Sequence, residues 1–113
     1  MDQYRFQQMD QMSPIQCPCG LTRRAFIDDP AQTASLHLLD VQVNAQVHYH
    51  KKITEIYFIL EGEGHMELDG TRVPVQPFSA ILIKPGCRHR AVGKLRVAIT
   101  AIPAFDPQDE WFD

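Results

Sequence analysis

His48-Tyr49-His50-Lys51-Lys52-Ile53-Thr54-Glu55-Ile56-Tyr57-Phe58-Ile59-Leu60 is the stretch whose reading decides the fold. It joins a His-x-His pair to the most strongly β-forming run of the chain, Glu55 to Leu60. Side chains alternate faces along an extended strand, so the imidazoles of His48 and His50 point the same way. Glu55 has the opposite parity and would face away from them in one unbroken strand. All three converge only if the chain bends between His50 and Glu55. Lys51-Lys52-Ile53-Thr54, with two charges that prefer water, is the expected bend. Glu55 then opens a new strand whose face also carries Tyr57 and Ile59. His89, just beyond the Pro85-Gly86 turn, is a further candidate from a different strand. Three imidazoles and one carboxylate form a donor set for a divalent transition metal. Convergence from several strands is natural inside a barrel.

Outward from this stretch, short β-rich segments alternate with turn signals. Ala25 to Ile27 stops at Asp28-Asp29-Pro30, and Ser35 to Val43 and Val47 to His50 read as strands. Gly62-Glu63-Gly64 punctuates the chain after Leu60. His65–Leu68 and Arg72–Val75 flank Asp69-Gly70, a strong hairpin signal. Ala80 to Ile83 ends before Pro85-Gly86, and Arg90–Val92 and Leu95–Ile102 complete the strands. Nothing in the body sustains a helical period over three turns. The fold class is all-β, a sandwich or barrel. Residues 1–15 read as a flexible polar N-terminal arm closed by Ser13-Pro14. Residues 16–113 read as a single barrel domain with an acidic, aromatic tail from Asp106 onward.

A length of 113 residues allows one domain. The formal net charge of −3 and the scattered Lys and Arg argue against a nucleic-acid partner. No apolar run approaches a membrane span, and the polar start, Met1 to Met12, is no signal peptide. Three cysteines, an odd number, suggest a reducing compartment and a cytoplasmic location. Cys17-Pro18-Cys19 lacks the Cys-x-x-Cys spacing, and a bridge between residues two apart is expected to be strained. A metal or redox role for the pair is therefore the weaker reading.

The pattern resembles the cupin superfamily, specifically its small single-domain members. The first cupin motif is matched by His48, His50, Glu55 and Gly62, with Gln42 in place of the leading Gly. The second is matched by Gly86 and His89. Phe78, Lys84 and Gly93 stand where Gly, Pro and Asn are usual, and Pro85 lies one place along. The departures fall at turn positions, and the resemblance spans roughly residues 35 to 102. It implies a double-stranded β-helix, a jelly-roll barrel of two antiparallel sheets. It also implies one metal (Fe, Mn, Ni, Co or Zn) held by His48, His50, Glu55 and His89, and a homodimer formed through the sheets. Family members include isomerases, dioxygenases and lyases as well as storage and sensor domains, so fold alone does not give function.

The expected function is therefore metal-dependent action on a small polar molecule such as a sugar, hydroxy acid or catechol-like compound, isomerase-like or dioxygenase-like. The alternative is a binding or sensor module without turnover, and a third reading is a metal-free structural barrel. Tyr57 is a weak catalytic candidate and a candidate pocket residue, weighed against a core aromatic. Arg24 and Cys87 are candidate substrate contacts. Met66 is another, although a gap-filling core role suits it better. Arg23 and Arg90 are weaker candidates for pairing with an anion. His37 reads as a satisfied core or edge histidine, and His65 as exposed. No second acid or base beside the four ligands is evident, and a polar pocket wall would favour catalysis over binding.

Overall fold

A computed structural model describes residues 3–42 and 45–113. Its strands are β1 (Ile15–Cys17), β2 (Gly20–Ala25), β3 (Ser35–Val41), β4 (Thr54–Leu68), β5 (Thr71–Val75), β6 (Ala80–Ile83) and β7 (His89–Ile102). All pairings are antiparallel, in the order β1-β2-β3-β7-β4-β5, and β6 also pairs with β4, on the edge away from β7. The strand expected over Ser35–Val43 closes at Val41; Val43 lies outside the described residues, as does the start of the arm at Met1 and Asp2.

The all-β jelly-roll expectation holds, with one difference in detail. The two sheets are one continuous network, because β4 and β7 each run through both halves. Thr54–Ile59 pairs with Val97–Ile102, and Glu61–Leu68 pairs with His89–Arg96 across a bulge between Ile59 and Glu61. Gly62-Glu63-Gly64 therefore bends a strand rather than ending one. A Cβ at Gly62 would collide with the Lys94 backbone, and its φ of 90° suits glycine. The same continuity joins Arg90–Val92 to Leu95–Ile102 through Gly93, which pairs with Gly64. Val47–His50 is not a regular strand. Only His48 and Tyr49 make bridges, to His89 and Trp111.

The alternation read from Glu55 onward places Glu55, Tyr57 and Ile59 inside, with Leu39, Met66, Val97 and Ile99. The arm lies against the end of β2 and the turn after it. Arg5 pairs with Asp28 at 3.0 Å, the Phe26 amide donates to the Gln7 side chain at 3.0 Å, and Arg23 Nε donates to the Met12 carbonyl at 2.9 Å.

The cysteine reading needs correction. Cys17 and Cys19 are joined as a disulfide, and Cys87 alone is free. Cys17 pairs with Gly20 across a tight turn, which brings the two cysteine Cα atoms to 5.2 Å, an ordinary bridging distance. The cytoplasmic expectation thereby loses the support it drew from unpaired thiols. Among the described residues, no helix is long and apolar enough to cross a membrane.

Asp69-Gly70 forms the expected hairpin turn, with both φ values positive, 48° and 82°. The Gln76-Pro77-Phe78-Ser79 turn closes with Ser79 N–H donating to the Gln76 carbonyl at 3.0 Å, and Phe78 sits at φ 74°. Pro followed by a left-handed residue is a type II turn, which favours Gly at that second position. Phe78 is 80% exposed, and its ring contact with Phe58, 5.9 Å between centroids, offsets only part of the strain. Phe78→Gly is expected to stabilise the fold by about 1 kcal/mol, raising the melting temperature by a few degrees. A lower melting temperature in this variant contradicts that account of the turn.

Candidate metal centre

The bend anticipated after His50 is present at Lys51-Lys52, and both lysines are exposed. Its fastening comes from the other end of the chain. The buried Asp109 carboxylate accepts the amide N–H groups of Lys51, Lys52 and Ile53 at 2.9, 3.0 and 3.1 Å. His48 is placed by a reciprocal backbone pair with His89, at 3.1 and 2.9 Å. Glu55 projects inward from the start of β4, beside Ala101 of β7.

These placements bring His48, His50, Glu55 and His89 together, all four buried. Glu55 Oε1 lies 3.1 Å from Nε2 of both His50 and His89. One ligand atom from each residue falls within 4.8 Å of all the others. Donors about 2.1 Å from a common ion are at most ~4.2 Å apart, so a small inward shift closes the shell.

Hydrogen bonding on the far side of each ring decides what the cluster accommodates. Nδ1 of His48, His50 and His89 faces the backbone carbonyls of Gln46, Asp109 and Cys87, at 3.2, 2.7 and 2.9 Å. A carbonyl only accepts, so each Nδ1 carries the proton and each neutral ring turns an Nε2 lone pair inward. Three lone pairs then face a carboxylate oxygen, with acceptors on every side. His50 Nε2 is buried with no hydrogen bond of acceptable geometry. Such an arrangement requires a cation or a proton at its centre. The donor set fits a divalent transition metal.

Electrostatics agree. Burial disfavours charge on Glu55, but in the ion-free cluster the close imidazoles of His50 and His89, when protonated at Nε2, overcome it and hold the carboxyl well below its usual range. Burial also opposes charging His50, yet contact with Glu55 raises its pKa. His48 is pushed down to about 4 by burial and by the neighbouring His89.

The cluster opens into a cavity whose empty space, counting its open mouth, is about 340 Å³. One row of paired residues lines the sheet side: Arg24 opposite His37, His37 opposite Ile99, Ile99 opposite Tyr57. Phe105 and Glu110 from the tail, with Cys19 and Thr22, form the remaining wall. Tyr57 packs edge-on to His89 at 5.7 Å between centroids, and burial keeps its hydroxyl protonated. The arginine heads divide: Arg24 reaches the cavity, while Arg23 approaches Asp40 and Arg90 forks onto Glu67 at 2.6 and 3.1 Å. Met66 lies in the core with no exposure, and half-buried Cys87 packs against that core; neither lines this cavity. His65 is half-buried beside Glu67, away from the cluster.

Sequence reading missed three contributors. His37 is buried, contacts Ser35 Oγ at 2.8 Å, and is pushed down to about 4, mainly by burial. Its parity with Ser35 and Leu39 was the available signal. Glu110 and Asp109 sit in a tail whose docking no local pattern reveals. Burial raises the Glu110 pKa, and its carboxyl adds a titratable group to the cavity wall that the sequence did not disclose.

A family model described as the cupin domain matches residues 36–99, more than half of the chain. The chain is a cupin. A crystal structure of a protein from Planctomyces limnophilus is 34% identical, with 96% of each chain covered and a TM-score of 0.89. A Streptomyces protein described as a nucleoside dehydratase is 21% identical, with 97% of this chain and 90% of that one covered and a TM-score of 0.82. The ectoine synthase of P. lautus is 17% identical, with 96% and 88% covered and a TM-score of 0.75. The last two likenesses establish the shared fold. No curated protein matches. As a cupin, the chain carries both motif halves on the elements that build the cluster.

Proposed function

We propose that this cupin is a metal-dependent enzyme acting on a small polar molecule, with isomerase-like proton-transfer chemistry. His48, His50, Glu55 and His89 would hold one divalent transition metal, which when bound polarises a substrate oxygen. The reading rests on one observation: polar groups converge beside the cluster instead of an apolar wall. Tyr57 offers a protonated hydroxyl, and Glu110 offers a carboxyl whose pKa burial raises, so it holds a proton more readily than a free carboxyl. Proton-handling groups favour isomerase-like over dioxygenase-like chemistry. The similar proteins described as a nucleoside dehydratase and an ectoine synthase lend the enzyme reading support by analogy.

The test is a panel of hydroxy acids, sugars and catechol-like compounds incubated with metal-loaded protein in D2O and followed by NMR. Deuterium incorporation into one member is expected, and Glu110→Gln should slow it by about a hundredfold or more. Oxygen uptake without exchange contradicts the isomerase-like reading in favour of oxygenation. Binding without either returns the sensor-module alternative.

A homodimer formed through the outer sheet face belongs to the same reading. Leu36, Ile56 and Leu82 fall in one cross-strand row, interrupted only by Thr100, and all three are solvent-exposed. Light scattering that finds a monomer across micromolar concentrations contradicts it.

A further inference from the structure

We infer that Arg24 anchors a carboxylate of the ligand, so that within the proposed function the substrate class narrows to small carboxylic acids such as hydroxy acids. Arg24 projects from β2 into the same cavity as the metal cluster, beside His37 on the neighbouring strand. Its guanidinium stacks over Phe105, 4.4 Å from the ring centroid, which fixes the plane of the fork. Nε is buried without a hydrogen-bond partner. Arg5, Arg23, Arg88 and Arg90 each reach a carboxylate. Among the described residues Arg24 reaches none; Glu110 acts on it only at longer range.

A half-buried guanidinium with an unmet N–H carries a desolvation cost that a planar, two-oxygen acceptor removes best. Burial lowers the Arg24 pKa yet leaves it charged at any working pH. Among the described residues Arg24 is the one permanently charged cation lining the cavity, and His37 is neutral near pH 7. Thr22 lies two residues before Arg24 on β2, lines the same cavity and adds a hydroxyl.

The experiment is calorimetric titration of metal-loaded protein with glycolate and with glycolamide, its neutral isostere. Both present a hydroxyl and a carbonyl oxygen to the metal, so their difference reports the carboxylate. The wild type should bind glycolate at least about tenfold more tightly than glycolamide. Arg24→Gln should lose that preference, with glycolamide affinity held within about twofold. Arg24→Lys, which keeps the charge without the fork, should fall between them. Equal binding of the two probes by the wild type, no glycolate binding at millimolar concentration, or unchanged preference in a folded Arg24→Gln protein overturns the inference. Metal content measured in each sample separates the two proposals. A wild type that takes up no metal defeats the metal-dependent reading, while an Arg24-dependent preference for glycolate in that protein still upholds this one.

Discussion

Chelating the metal from the purified protein is expected to lower the melting temperature by roughly 10–20 °C, and His50→Ala should do the same. The reasoning is mass action: an ion that binds only the folded chain, present at about a thousandfold above its dissociation constant, adds about 4 kcal/mol. For a domain of this size that corresponds to the stated shift. The structural basis is the ring of acceptors around Glu55. Each imidazole donates Nδ1–H outward to a backbone carbonyl, so the inward nitrogens and the carboxylate repel unless a cation lies among them. Removing the ion leaves a buried carboxylate that must recruit a proton through His50, a weaker solution. Identical melting curves with and without chelator, in protein shown to hold metal beforehand, count against ligation.

Asp109→Ala should cost about 3 kcal/mol and weaken metal affinity by at least about tenfold. Its carboxylate accepts three successive amides of the bend and the Trp111 indole N–H, at 2.9 to 3.1 Å. Burial alone would raise its pKa, but those donors outweigh it and keep the group ionised. The backbone carbonyl of the same residue accepts from His50 Nδ1 at 2.7 Å. One residue thus closes the bend that turns Glu55 toward the histidines and also orients one of the rings. Asp109→Asn is the sharper control, because an amide would turn its own donors toward N–H groups. A variant at this position that melts and binds metal like the wild type contradicts the assigned role.

Much of this centre was legible in the sequence because it depends on local periodicity. Parity alone put His48 and His50 on one face and demanded a bend before Glu55, and the Lys-Lys pair marked where it falls. Asp69-Gly70 and Pro85-Gly86 declared their turns through residues that tolerate positive φ. What escaped depends on long-range pairing. That Arg24 reaches the cavity follows from the β2–β3 register, which no local signal fixes, whereas for His37 parity with Leu39 was the one local clue. Glycines that usually end strands instead let β4 and β7 cross closely at Gly64 and Gly93. The tail reads as a polar, aromatic coil, yet Phe105, Asp109 and Glu110 complete the wall and the bend through contacts with residues dozens of positions away. The Cys17–Cys19 bridge escaped because its feasibility rests on a turn geometry that spacing does not state.

Elemental analysis of protein purified without a metal-affinity column is the most direct measurement. About one equivalent of a divalent transition metal per chain is expected in the wild type, and close to none in His50→Ala. Wild-type protein that arrives without such a metal, and takes up none when zinc, manganese or iron(II) is supplied, would show that these four side chains are gathered for some purpose other than gripping an ion.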